Sequence, residues 1–277
     1  MAGEAGAGAQ AVEEKGAMAD LEYTVADGIG TILLNRPHRK NAFTLAMIDE
    51  WARILVGART DPDVRVIVLT GAGDAFCSGV DLSSTDRERP TPLERKTQLT
   101  DRIHRIPYAL EDLDKPVIAA VNGVAVGAGM DMALMCDMRI IARSARLSEG
   151  YIRVGLVPGD GGCYYLPRLV GPAKALELLL TGDFIDAEEA ARLGIANHVV
   201  DDDELPAAVG ALARKLADAP PVAVRMIKRA VYQSARSDLR TALDLISSHM
   251  SVVTSTGDSA EALAAFREKR PGRYTGR

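Results

Sequence analysis

The sequence predicts an α/β fold, and two patterns predict it. Short apolar stretches of strand character, punctuated by glycine and proline, fill the first half of the chain. The last third is a run of helical patterns with capping residues at their starts. Size adds a third observation: 277 residues with 47% hydrophobic content suffice for one large core, or one domain with a small appendage.

The elements follow in order. "MAGEAGAGAQAVEEKGAMA" is rich in Ala, Gly and Glu and lacks the basic start and apolar run of a signal peptide, so residues 1–20 read as a flexible tail, with Met18 a candidate start. "LEYTVADGIGTILLN" (21–35) reads as two strands joined at Asp27-Gly28, a hairpin signal. Thr44 is placed to cap a helix running to about Arg59. "VRVIVLTG" (64–71) is a buried strand, and "SSTDRERPTPLERKT" (83–97) a mobile loop leading into a helix through about residue 112. "KPVIAAVNG" (115–123) and "MRIIAR" (138–143) are strands, with the short helix-compatible "GMDMALMCD" (129–137) between them. Asp186 and Glu189 form a capping-box pattern, and Gly194 is a stop. Helices are expected over about 204–218, 222–236 and 238–255, with a last one beginning near Asp258. The chain thus divides into a core of ββα-like units over 21–200 and a helical region over 201–277.

Several function classes drop out. A net charge of −5 without a basic stripe argues against nucleic acid. No run of 18 apolar residues suggests a membrane span, and no GxGxxG follows the first strand, so a dinucleotide fold is unsupported. Cys77, Cys136 and Cys163 form no CxxC and read as reduced thiols of a cytoplasmic protein. His38, His104, His198 and His249 lack metal-ligand spacing, so no metal site is expected.

Three stretches could carry chemistry. In "VPGDGG" (157–162), Asp160 stands among glycines that let another group approach the backbone. It is either a working carboxylate or ordinary Asp-Gly turn chemistry. In "NGVAVGAGMDMALMCD" (122–137), Gly127, Ala128 and Gly129 precede an apolar helix whose first N–H groups lack intrahelical partners. Such a start can hold a developing oxyanion. Asp131 falls in its first turn, as a functional group or as a complement to the helix dipole. In "GAGDAFCSGVDL" (71–82), Gly79 exposes the N–H of Val80, a candidate second donor.

Those stretches carry a resemblance. "ILLNRP" with "NAF", "GAGDAFCSGVDL", "KPVIAAVNGVAVGAGMDMALMCD", "GLVPGDGG", "LVGPAKALELLLTGDFIDAEEAARLGIANHVV" and the closing "FREKRP" resemble, in the same order, the crotonase superfamily, the enoyl-CoA hydratase and isomerase family. The resemblance covers roughly nine tenths of the chain. It implies a crotonase-type spiral of ββα turns with a C-terminal helical trimerisation region, assembled as a homotrimer or hexamer. It implies an acyl-CoA thioester substrate whose thioester oxygen sits between the N–H groups of Val80 and Ala128, with no cofactor beyond coenzyme A as part of the substrate. CoA is expected against His38, Arg39 and Lys40 and the strand end at Ser78, Asp81 and Leu82, with Phe266 and Lys269 reaching CoA bound by a neighbouring subunit.

The departures from the family pattern matter. Family hydratases use two glutamates; here the first position is Asp131 and the second Tyr151. A tyrosine, with a reference pKa near 10, donates hydrogen bonds at neutral pH and is a poor base. Dienoyl-CoA isomerases of the superfamily have an aspartate at the Asp131 position and another one residue away from Asp160, and its C–C hydrolases have a "VPGDG" loop like this one. Glu149 is the remaining candidate: in a strand over 147–152 it would share a face with Tyr151, with surface exposure as the alternative. The reading is therefore an enoyl-CoA hydratase-type enzyme acting through Asp131, Asp160, Glu149 and Tyr151. Double-bond isomerisation or C–C hydrolysis is the alternative, and a silent acyl-CoA binding protein the lesser one.

Overall fold

In the computed structural model, which describes residues 19–81 and 91–277, the chain climbs through two sheets at once. The expected tail through residue 18 and the start of the 83–97 loop, with Leu82, lie outside the described residues. Strands β1 (Leu21–Ala26) and β2 (Ile29–Leu34) form the expected hairpin. Asp27 and Gly28 both have positive φ, 51° and 81°, as a two-residue turn of this hand requires. Helix α1 (Leu45–Thr60) starts where Thr44 accepts from the Met47 N–H. Strands β3 (Val66–Gly71) and β4 (Ala75–Cys77) follow.

Beyond the undescribed segment, the structure differs from the expected loop. Residues 92–98 form helix α2 (Pro92–Gln98), because Thr91 and Glu94 cap each other's backbone N–H. A π-turn over Leu99–Ile103 leads into α3 (Arg105–Asp112). Next come β5 (Val117–Val121), β6 (Val124–Val126), α4 (Ala128–Met135), β7 (Met138–Ala142) and β8 (Arg146–Ser148). The strand considered over 147–152 therefore stops at Ser148, and a 3₁₀ turn takes over at Gly150. Then follow α5 (Gly162–Val170), α6 (Pro172–Thr181), β9 (Ile185–Asp186), α7 (Ala187–Arg192) and β10 (His198–Val200). Asp186 caps α7 at the Glu189 N–H, but Glu189 turns to Arg192 instead of closing the box. The helical end comprises α8 (Leu205–Ala217), α9 (Pro221–Ser234), α10 (Leu239–Thr254) and α11 (Gly257–Glu268). Thr256 caps α11; Asp258 instead accepts from the Thr275 and Gly276 N–H groups of the C-terminal segment.

One sheet runs β1-β2-β3-β5-β7-β10, parallel except for the hairpin. The other runs β4-β6-β8-β9, parallel through β8. Each successive turn contributes one strand to each sheet (β3 and β4, β5 and β6, β7 and β8), which is the expected spiral. Period-2 geometry explains the continuous apolar runs. Val66 and Val68 face a layer built with α8, while Ile67 and Leu69 face the main core. Helix α8 supplies Leu205, Val209, Ala213 and Ala217, four apart and therefore on one face. Helix α4 is fixed at its C-terminal end by Arg139, whose guanidinium donates to the carbonyls of Ala133, Leu134, Cys136 and Ile195.

A candidate active site at the strand ends of the smaller sheet

The three parallel strands of the smaller sheet deliver the site at their C-terminal ends, where parallel α/β sheets commonly bind ligands. Strand β4 leads to Gly79 and Val80, β6 to Gly127 and Ala128, and β8 to Glu149 and Tyr151. Strand pairing holds these ends level: Val126 pairs with Ser148, and the Gly127 N–H donates to the Ser148 carbonyl.

Gly79, the neighbour of Val80, comes close to Ala128. Gly79 has φ 94°, and a β-carbon on it would stand 3.5 Å from the Ala128 nitrogen. Val80 is held by a bridge to Phe43, with the Phe43 N–H on the Gly79 carbonyl and the Asp81 N–H on the Phe43 carbonyl. The Ala128 N–H is the first of α4, where no preceding turn supplies a carbonyl. A side chain at Gly129 would collide with the Cys77 carbonyl, so only glycine lets α4 start this close to β4.

The four acid–base candidates converge. Asp131, in the first turn of α4, is 0% exposed; Glu149 is 1% and Asp160 4% exposed. The Tyr151 hydroxyl oxygen lies 2.6 Å from Asp131 Oδ2 and 2.7 Å from Asp160 Oδ2. Asp131 Oδ1, Asp160 Oδ1 and both Glu149 oxygens have no hydrogen-bond partner among the described residues. The exposed reading of Glu149 is overturned, and so is the strand that was to place it. Glu149 and Tyr151 are brought in by the turn after Ser148. Asp160 is not spent on closing its loop, since its only protein partner among the described residues is Tyr151. The glycine that permits the convergence is Gly162: a β-carbon there would collide with Asp131 Oδ1 and stand 2.8 Å from Glu149 Oε2.

Burial governs the electrostatics. It disfavours the charged forms, pushing the Asp131 carboxyl up to about 7 against the hydrogen bond from Tyr151. Glu149 is pushed up to about 10 by burial and by the charge of Asp131. Asp160 is raised by burial, with the Tyr151 hydrogen bond and His104 opposing. The Tyr151 hydroxyl is held neutral by burial and two neighbouring carboxyls. A carboxyl near 7 is poised to take and return protons at neutral pH.

His104 is the residue that sequence reasoning passed over. Its Nε2 lies 2.9 Å from the Gly159 carbonyl, next to Asp160, and Leu99 packs against Gly159. The signal was faint: a lone histidine inside the helical region that follows the polar loop, between Ile103 and Arg105.

The residues expected to meet CoA are partly gathered. His38 and Arg39 lie in an exposed 3₁₀ turn ending at Lys40, which pairs with Asp74 at 2.5 Å. Ser78 is tied to that turn through the Lys40 and Arg39 carbonyls. Buried Asn41, at φ 56°, holds the turn through Arg36, Ala72 and Ala75. Asp81 is buried and ion-paired with Arg36 at 2.9 Å. Phe266 is 83% exposed and Lys269 is exposed at the end of α11.

Comparison with known proteins agrees with the geometry. The family described as Enoyl-CoA hydratase/isomerase matches residues 24–277. The chain is 37% identical over 254 residues to the 1,2-epoxyphenylacetyl-CoA isomerase of Escherichia coli K12, covering 91% of this chain and 97% of that protein. It is 34% identical to the crotonyl-CoA hydratase of Syntrophomonas wolfei, over 89% of this chain and 94% of that one. Among solved structures, the enoyl-CoA hydratase of Bacillus anthracis superposes with a TM-score of 0.88 at 36% identity, covering 94% of this chain and all of that one.

Proposed function

The chain belongs to the enoyl-CoA hydratase/isomerase family, and we propose that its own reaction is the addition of water across the 2,3 double bond of a CoA thioester, through an enolate. It is an acyl-CoA-processing enzyme of the hydratase/isomerase class. The observation that carries the finer reading is that one short helix, α4, begins with the Ala128 amide and buries Asp131 one turn later. The thioester oxygen accepts from the Val80 and Ala128 N–H groups, which stabilise charge where it develops. Asp131 and Asp160 then form the acid–base pair, the base drawing a proton from the water that adds to the β carbon and the acid protonating the α carbon. The chemistry uses no cofactor beyond the CoA of its substrate. CoA lies along the 38–40 turn and Ser78, and exposed Ile152, Val154, Leu156 and Val157 offer an apolar wall for the acyl group.

Isomerisation is a second reading, favoured by one feature. The Tyr151 hydroxyl stands between two carboxyls, at the position where the family hydratases have their second glutamate, so the pair that manages water there is absent. A product screen over short, long and branched enoyl-, dienoyl- and β-keto-acyl-CoA, read by mass, separates the readings. Hydration gives a product heavier by one water, and isomerisation an unchanged mass with shifted absorbance. Tight binding without turnover of any member contradicts both.

The assembly reading rests on the helical end. None of the α9 side chains is buried, and α10 buries only Ala242. Ile227, Val231, Leu239, Leu243, Met250 and Phe266 are exposed instead. Apolar faces of this extent mark association, so α9–α11 form the contact of a homotrimer or hexamer, with Phe266 and Lys269 placed to reach a neighbour's CoA. Light scattering that gives a monomer at micromolar concentration rules this out.

A further inference from the structure

Tyr151 has one hydroxyl proton and two carboxyl neighbours at 2.6 and 2.7 Å. Both are distances of strong O–H···O bonds. A phenol donates once. Were both aspartates ionised, one of them would face the tyrosine oxygen lone pair to lone pair, with no proton between. Burial makes that arrangement costly, because a buried polar atom without a hydrogen bond pays its desolvation in full. Asp131, Tyr151 and Asp160 are all buried. The geometry closes only when one aspartate is a carboxylic acid donating to Tyr151 Oη, while Tyr151 donates to the other.

We propose that Tyr151 is a proton relay: Asp131, Tyr151 and Asp160 share one carboxylic proton, and the tyrosine passes it from one aspartate to the other between turnovers. The inference rests on the reading of the two aspartates as the acid–base pair. In hydration the base takes a proton from water while the acid gives one to the α carbon; in isomerisation both protons are exchanged with carbon. Either reaction leaves the pair inverted, with the former base protonated and the former acid ionised. The relay restores it. The carboxylic O–H breaks as its proton moves to Tyr151 Oη, and the Tyr151 O–H breaks as its proton moves to the opposite carboxylate. Two O–H bonds form and two break. The tyrosine is neutral before and after, and the trio keeps one negative charge throughout. Because both carboxyls are buried, resetting through bulk water is the slow alternative.

The test is Tyr151→Phe, which keeps the ring that packs over Gly127 and removes only the hydroxyl. Its first turnover should run within about tenfold of wild type while its steady-state rate falls at least about 100-fold, the usual scale of a proton-transfer role, giving a burst of one product per site. A wild-type steady-state rate, or a first turnover that falls as far as the steady state, overturns the relay. Asp131→Asn and Asp160→Asn, run beside it, keep the two ideas apart: if both stay active, the acid–base reading has failed, and if both are inactive while Tyr151→Phe is normal, only the relay has failed. Should Tyr151→Phe not fold, the wild-type enzyme decides. Its steady-state rate in mixtures of light and heavy water should bend with isotope fraction, as two protons in flight require, and a linear or flat dependence overturns the relay.

Discussion

The two ends of helix α4 bury opposite charges and treat them differently. At the C-terminal end, Arg139 is 4% exposed, and its guanidinium donates to four backbone carbonyls. The charge is buried but satisfied, and it meets the carbonyls that a helix end leaves without partners. At the N-terminal end, Asp131 is fully buried with one oxygen on Tyr151 and the other turned toward Glu149 and Gly162, with no hydrogen bond of ordinary geometry among the described residues. The structural charge spends its Nε and Nη1 donors on backbone carbonyls. The charge proposed for chemistry retains an oxygen without a well-placed partner, at a cost in stability. The contrast separates scaffold from site within eight residues.

Three variants break or sharpen it. The largest effect belongs to Asp131→Asn, which keeps shape and removes the titrating group. Turnover should fall about 1000-fold, within the range of general acid–base roles, with CoA affinity little changed. Near-full activity would place the chemistry elsewhere. Next is Arg139→Leu, which leaves buried carbonyls without donors. It should cost about 3 kcal/mol of stability, read by denaturant unfolding, since each unsatisfied buried acceptor typically costs 1–3 kcal/mol. A change of a few tenths would deny Arg139 its structural part.

The smallest effect is a slope. Glu149 is pushed up to about 10 in the folded chain, against about 4.3 when unfolded. Between those values the folded state holds a proton that the unfolded state has lost. Stability from this group is therefore fully present below the unfolded value and is lost as pH rises through the window toward the folded one. Glu149→Gln cannot ionise, so its unfolding free energy should fall less steeply between acid and alkaline pH than that of the wild type. Equal slopes would mean that Glu149 is not held neutral.

Local chemistry was legible where local interactions decide. Asp27-Gly28, Thr44 and Asp186 each act within a few residues, and each stands where the sequence placed it. The Thr91–Glu94 capping box was as local but hidden by two prolines and a charged run that read as loop. Pro92 sits at the first helical position, where proline is tolerated. The oxyanion pair and the aspartates were legible mainly through the resemblance, because nothing in their own spacing shows that β4, β6 and β8 end side by side. Glu149 was hardest. Its placement beside Tyr151 hung on a strand over 147–152, but the backbone winds into a 3₁₀ turn, and its burial comes from α5 pressing Gly162 onto it.

In the proposed mechanism Asp160 is a working carboxylate of the same cluster as Asp131. The most direct measurement is the turnover of Asp160→Asn on a CoA thioester that the wild type converts, with CoA binding measured alongside. Asparagine keeps the size and turn propensity of the residue and removes its proton. The account predicts a loss of at least about 100-fold in turnover with CoA affinity nearly unchanged. Near-full turnover in Asp160→Asn would contradict it and leave Asp160 a turn residue.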